Sequence, residues 1–374
     1  MKIVFLSDAI YPYNKGGKEK RLFEISTSLA KLGHDVHIYT MHWWQSAEKT
    51  RHENGITLHA ISKYHKLYKG SKRSTKEGVL FGLASFRLIS VKFDVLDVDH
   101  MPFFPIISAW IVCKLKRKKL FGTWHEALST ADWKDYMGLA GAIASTIERL
   151  AIKLPDFITA ASSRTKQLLD TYHHRTKNVY LVASGVDTKA ISKIQPSNEN
   201  CDVLYVGRLV KNKNIDVLIK AFAKVAQKDK KVACVVIGEG PESHKLQKLI
   251  SELKLQDRVT LLKPLDSSND VYAYMKKARA FILPSVREGF GIVVLESLAC
   301  GTPVVTTNVD ANAARLLIAN GITGSVVPLQ TELFANAMHY WLTKSMNHAA
   351  IKLAASYDWE HVANAQLQVY KENI

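Results

Sequence analysis

Short apolar runs alternate with amphipathic segments along this chain, and the whole alternation starts afresh near Cys201. Residues 2–7 are apolar and stop at Asp8, as a buried parallel strand would. A loop with Pro12, Gly16 and Gly17 follows. Then Leu22, Ile25, Leu29 and Leu32 recur at helical spacing until Gly33, and 35–40 (DVHIYT) reads as the next strand. A strand–helix–strand unit of this kind implies a parallel sheet with right-handed crossovers. Further strands are expected at 56–61, 94–98, 119–123, 157–161 and 179–182, mostly separated by helices, of which 140–153 reads as the longest. The stretch 64–78, rich in Lys and holding Gly70, reads as a mobile loop. The second series predicts strands at 202–206, 232–237, 259–262, 280–283 and 303–306. Helices are expected at 215–227, 242–253, 270–277 and 292–299. Pro196, Ser197 and Asn198 mark a linker between the two series. The expected fold is α/β, with two doubly wound Rossmann-like domains facing across a cleft, residues 1–187 and 199–356. Ligands of such sheets bind beyond the carboxyl ends of the strands.

Composition agrees with a folded, two-domain chain: 374 residues, 47% hydrophobic and 23% charged. The four cysteines, Cys113, Cys201, Cys234 and Cys300, lie too far apart for a disulfide scaffold or a CxxC metal site, and they suit a reducing, cytosolic compartment. The opening apolar run is too short for a signal peptide, and no apolar run is long enough to span a bilayer. Residues 101–113 read as a core helix ending in the basic tail 114–119. The net charge of +17 is uneven: residues 1–185 hold 28 Lys+Arg against 16 Asp+Glu, the remainder 23 against 18.

Four segments carry the chemistry. In Glu288-Gly289-Phe290-Gly291-Ile292, a strand gives way to a glycine-rich turn and a helix. The free N–H groups of a helix N-terminus suit a phosphate or sugar oxygen. Glu288 and Glu296 are eight residues apart and could hold hydroxyls at two ends of an extended ligand, although glycine-bearing βα turns are common by themselves. Gly207 and Arg208 follow the first strand of the second series, with Lys213 five residues on. Arg binds a diphosphate bidentately, Lys adds a point charge, and together they would stabilise a leaving diphosphate; a lone basic loop is more often simply solvated. Gly16-Gly17 before a helix permits a phosphate to approach, but it is neither a dinucleotide fingerprint nor a P-loop. His125, at the end of a first-domain strand, can donate a hydrogen bond or handle a proton.

Taken in order, these segments resemble the retaining glycosyltransferases of family 4, which have the GT-B fold. The resemblance covers nearly the whole chain: Pro12…Gly16-Gly17-x-Glu19, Leu32-Gly33-His34-Asp35-Val36, Gly185-Val186-Asp187, Gly207-Arg208 with Lys213, and Gly238-Glu239-Gly240-Pro241. It continues through Glu288 and Glu296 as an E-x7-E motif, through 299–305, and through Tyr357-Asp358-Trp359-Glu360, which opens a last helix expected to cross back to the first domain over 357–374. The resemblance implies that Arg208 and Lys213 hold the donor diphosphate and Glu296 the ribose hydroxyls. Glu288 would sit at the donor sugar with the backbone of Phe290, Gly291 and Ile292. Gly207 and Gly238 would line the donor site, Gly16 and Gly17 would close over the phosphates, and His125 would lie near the transferred sugar. The implied chemistry is front-side displacement with retention, the diphosphate itself taking the acceptor proton, with no enzymic nucleophile, no cofactor and no metal. Ser184 departs from the Asn of the linker motif, and 308–324, with Asp310-Ala311 and Arg315, departs from the family's donor-side loop. Asp97-Val98-Asp99 spells DxD, a metal signature of the other large glycosyltransferase fold.

The implied donor is a nucleotide sugar, a UDP-sugar first and GDP-mannose next, and the implied acceptor a glycan or lipid-linked molecule. The Lys/Arg clusters 63–76 and 114–119, with Tyr64, Leu67, Tyr68, Trp43 and Trp44 nearby, predict an anionic membrane surface as partner and a place on the cytoplasmic face of the membrane. Alternatives are a GT-B-like nucleotide-sugar epimerase or synthase, or a non-catalytic basic binding protein. No nucleic-acid motif is present.

Overall fold

A computed structural model describes residues 1–69, 72–344 and 346–374; Gly70 lies outside them. The chain divides into two compact units, Met1–Ser184 with Trp359–Ile374, and Gly185–Asp358.

The first unit contains β1 (Lys2–Leu6), β2 (Asp35–Met41), β3 (Thr50–Glu53), β4 (Ile56–Ser62), the paired short strands β5 (Tyr68–Lys69) and β6 (Lys72–Arg73), β7 (Val95–Asp99), β8 (Leu120–Trp124), β9 (Phe157–Ala160) and β10 (Val179–Leu181). Its main sheet runs β10-β9-β8-β7-β1-β2-β4-β3. The strands are parallel except β3, which turns back on β4 through Asn54 and Gly55, both at positive φ. That dipeptide is a strong hairpin signal which the expected strands passed over. Period-2 alternation divides the sheet's two faces: Val4, Leu6, Leu96 and Val98 enter one core, Ile3, Phe5 and Val95 the other. The unit's helices are α1 (Gly17–Lys31), α2 (Thr75–Ser85), α3 (Phe104–Lys116), α4 (Thr130–Met137), α5 (Gly141–Ala151) and α6 (Ser163–Thr171). The C-terminal helix, Trp359–Asn373, packs on α1. Its Tyr370 is fully buried, meets Phe121 edge-on and hydrogen-bonds Asp97.

Two expectations are corrected. The helix at 140–153 spans only Gly141–Ala151 and is shorter than α1. The described residues of 64–78 include β5, β6 and the start of α2, whose Ser74 cap accepts from the Glu77 N–H. Lys spacing resembles a solvated loop; the short β-ribbon and the helix cap are what order this one.

The second unit has β11 (Val203–Val206), β12 (Cys234–Ile237), β13 (Val259–Leu262), β14 (Ala280–Leu283), β15 (Val304–Thr307) and β16 (Gly324–Val327). Its sheet is parallel throughout, in the order β13-β12-β11-β14-β15-β16. The edge strand β16 went unread because it opens on Gly324 inside a loop of weak periodicity. Its helices are α7 (Thr188–Ser192), α8 (Ile215–Lys228), α9 (Ser243–Glu252), α10 (Ser268–Lys277), α11 (Ile292–Ala299), α12 (Thr331–Leu342) and α13 (His348–Ala355). β12 and β14 are wholly buried, which explains their unbroken apolar sequences. All four cysteines are buried and free, and burial pushes the Cys201 and Cys300 thiols up to about 12.

Candidate active site

In the second sheet the chain goes from β11 outward to β12 and β13, then returns to β14 on the other side. The order reverses between β11 and β14, and a crevice opens at the carboxyl ends of strands where the order reverses. Both sequence-predicted donor loops start there. The loop after β11 carries Gly207, Arg208 and Lys213; the loop after β14 carries Glu288, Phe290 and Gly291. They are tied together by the Val286 N–H on the Asn212 carbonyl (3.0 Å) and by Asn214 Nδ2 on the Pro284 carbonyl (3.1 Å). Across this seam Lys213 Nζ makes a close ion pair with Glu288 Oε1, both side chains retaining some exposure. Arg208 is exposed beside them, and its carbonyl accepts from the buried Tyr205 hydroxyl (3.0 Å).

Backbone packing explains the glycines. A Cβ on Gly238, at the end of β12, would fall 1.9 Å from the Gly207 carbonyl, so these two loops can touch only through glycine. Gly291 caps α11 at φ 93, where a Cβ would strike Ala314. Glu288 is fixed by its own backbone: its N–H donates to the Ala311 carbonyl (3.1 Å) and its carbonyl accepts from Ala313 (3.0 Å). Between those residues lies Asn312, fully buried, whose Nδ2 donates to Thr306 Oγ1 (2.9 Å) and to Thr307 (3.2 Å to the carbonyl, 3.1 Å to Oγ1). The atypical loop 308–324 therefore begins as the clamp on Glu288, a role that sequence reading missed. Phe290 lies edge-on to Tyr357. Glu296, one turn into α11, is buried, and one carboxylate oxygen accepts from the Tyr272 hydroxyl (3.0 Å). Tyr272 was also missed; it comes from α10, and nothing in its local sequence marks it.

The first sheet reverses order between β1 and β7. Here the sequence pointed to His125, Gly16 and Gly17, with Glu19 in the glycine-loop motif and Asp99 only as part of the DxD triplet. The structure adds Asp8, Lys18, Arg73 and Asp99. Lys18 Nζ donates to Asp8 (2.8 Å) and lies 3.4 Å from Asp99, while Arg73 pairs closely with Asp8 and stands 3.8 Å from Glu77. His125 Nε2 donates to Asp99 Oδ1 (2.8 Å), which leaves Nδ1 as the accepting nitrogen. Burial alone would raise the Asp99 carboxyl, but Lys18 and His125 hold it below the usual range. Burial lowers His125 and keeps it neutral, although Asp99 opposes the shift. Gly16 is the N-cap of α1, and Asn14 closes the loop by donating to the buried Glu19 (3.0 Å). Asp97 of the DxD triplet lies on the same sheet face as Asp99 but has other partners: burial raises its carboxyl to about 6, and it accepts from Thr123 (3.0 Å) and Tyr370. One signal could have found these acids, since each of Asp8, Asp99 and His125 stands at or just past the carboxyl end of a strand.

The basic run 63–76 is only partly solvated. Arg73 is turned inward onto Asp8, and Leu67 and Trp44 are buried. Lys63, Lys66 and Lys76 are exposed, and the side chains of Lys69 and Lys72 lie outside the described ones.

Residues 15–190 match the family described as Glycosyltransferase Family 4, and residues 187–356 match Glycosyl transferases group 1. The gpi3 subunit of phosphatidylinositol N-acetylglucosaminyltransferase from Schizosaccharomyces pombe is 26% identical over 98% of this chain and 79% of that protein. An N-acetylgalactosamine-N,N'-diacetylbacillosaminyl-diphospho-undecaprenol 4-alpha-N-acetylgalactosaminyltransferase from Campylobacter jejuni is 41% identical over 35% of this chain and 34% of its own length. Among solved structures, Anabaena HepE in complex with UDP and glucose superposes with a TM-score of 0.74 at 17% identity, covering all of both chains.

Proposed function

This chain belongs to glycosyltransferase family 4 and is a glycosyltransferase of the GT-B fold, and from that premise we propose that it transfers a sugar from a UDP-sugar, with retention, to a lipid-linked acceptor at the cytoplasmic face of a membrane. The observation that carries this reading is the Lys213–Glu288 pair at the point where the second sheet's strand order reverses, framed by glycine backbone and an exposed Arg208. A diphosphate entering there replaces Glu288 as the partner of Lys213, with Arg208 as the second cation. Glu288, released from the lysine, then accepts hydrogen bonds from the donor sugar's hydroxyls beside the N–H groups of α11. Glu296, oriented by Tyr272, accepts from the ribose hydroxyls.

As the sugar–phosphate bond breaks, negative charge grows on the diphosphate, and Lys213 and Arg208 stabilise it more in the transition state than in the ground state. The bond from the acceptor oxygen to the anomeric carbon forms on the same face. The acceptor proton passes to the departing diphosphate oxygen, so Glu288 need not act as a nucleophile. Gly207 and Gly238 line the donor pocket, Gly16 and Gly17 serve the phosphates, and neutral His125 donates or accepts at the transferred sugar. A lipid-linked acceptor is supported by the names of the two relatives described above, and UDP by the nucleotide bound to the solved structure. No helix among the described residues is long and apolar enough to cross a membrane, and the contact proposed here is a peripheral one.

A thermal-shift screen against UDP, GDP, ADP and their sugar conjugates, in EDTA, tests the donor. A nucleotide at 100 times its Kd stabilises by about 2.7 kcal/mol, a visible shift. The expected result is a shift with UDP that disappears in Lys213→Ala and Glu296→Ala. No shift with any nucleotide would overturn the reading, and a shift with GDP alone would reassign the donor.

A further inference from the structure

We infer that the outer surface of α2, the short 3-10 turn after it and α3 is the face that docks on an anionic bilayer. This deepens the membrane part of the proposed function and rests on it. Phe81, Leu88, Ile106, Ala109 and Val112 are buried and turn the inner sides of these elements onto the sheet. The two helices meet along a glycine seam: Ser108 Oγ donates to the Gly82 carbonyl (2.6 Å), and a Cβ on Gly82 would come 2.9 Å from Phe104 Cβ. With the inner and seam sides thus assigned, helical spacing sends Val79 and Leu83 outward on one helix, with Phe86 following at the start of the turn, and Ile107 and Leu115 outward on the other. All are exposed, Leu83 at 62% and Leu115 at 67%, and Ile89 of the turn adds to them at 48%.

Isolated exposed apolar residues need no explanation, but a row of them on adjoining helices does. Charge identifies the occupant. Residues 78–93 and 100–125 contain no Asp or Glu, while Arg87, Lys92, Lys114, Arg117, Lys118 and Lys119 border the apolar row. The acids near this edge are Asp94 and Asp156; Asp156 lies only 3.9 Å from Lys114 and from Lys119, weak contacts at an exposed surface. An apolar row bordered by an excess of cations fits an interface where acyl chains lie under anionic headgroups. It differs from the cluster at 63–76, whose Arg73 and Leu67 are spent inside the fold.

The test is flotation of the full chain with phosphatidylcholine vesicles, with and without phosphatidylglycerol. Wild type should float with the anionic vesicles, and less at high salt. Leu83→Asp with Leu115→Asp should lower partitioning about tenfold or more at every salt. Lys118→Gln with Lys119→Gln should lower it by about fivefold per charge and flatten the salt dependence. Lys63→Gln with Lys66→Gln should leave it unchanged. Each variant's UDP-induced thermal shift reports whether the fold and donor site survive, so a docking failure is separable from a failure of the transferase reading. Three outcomes would overturn the inference: wild type does not float; the Leu83/Leu115 variant floats like wild type; or that variant instead turns a dimer into a monomer in sedimentation, making the face a self-association surface.

Discussion

At the strand-order reversal of the first sheet, Asp8 and Asp99 are buried, and Lys18 and Arg73, each largely covered, neutralise them. At the corresponding place in the second sheet Lys213 and Glu288 are covered about as much as Lys18 and Arg73, but they form a single pair beside exposed Arg208. The two arrangements have different physical consequences. Burying charge costs several kcal/mol per ion, and only a closely matched set offsets it; once matched, each member is needed to keep the others from standing alone. A single pair beside an exposed arginine has no such interlocked set to keep balanced and can exchange one partner for an incoming anion. On the proposed reading the first cluster serves stability and the orientation of His125, and the second serves ligand exchange.

The sharpest way to break this comparison is Lys18→Met. Removing that ammonium leaves Asp8 with Arg73 alone and Asp99 with a neutral histidine, and should cost about 3–5 kcal/mol, read as a lower urea midpoint. A loss below about 1 kcal/mol would mean the cluster is solvated like a surface pair. Lys213→Ala should do the opposite: stability stays within about 1 kcal/mol, while kcat for UDP release with acceptor falls about 10²–10³-fold. Unfolding on that substitution would show that the pair is structural.

A smaller effect concerns Glu148 of α5, buried against the Trp133 indole N–H (2.6 Å). Burial raises its carboxyl from 4.5 to about 8, partly opposed by that hydrogen bond. Between those values the folded chain keeps a proton that the unfolded chain has lost, so stability falls as pH rises through this window and levels off above it. Glu148→Gln should flatten the dependence of Tm on pH between about 5 and 8. An unchanged slope would place the titration elsewhere.

The chain's polymer-like regularities were legible from the start. Strand β14 and the loop after it show this best: an unbroken apolar tetrad must be buried on both faces, and a glycine turn must follow if a helix is to begin at once. Such features depend on neighbours within a few residues. Arg73 shows the opposite case. In sequence it belongs to a lysine-rich run and reads as solvated, yet it pairs with Asp8, 65 positions earlier, because β6 and the end of β1 converge. Tyr272 with Glu296, and Asn312 with Thr306 and Thr307, are likewise partnerships between elements.

By itself, then, the sequence determined the repeated strand–helix alternation, the break between two units and the loops able to approach a phosphate, because periodicity and glycine act locally on the backbone. The tertiary structure decided which charges are sealed and which remain available. A side chain's electrostatic role depends on how much water it keeps and which opposite charge lies within a few ångströms, and both are set by elements far apart in the chain.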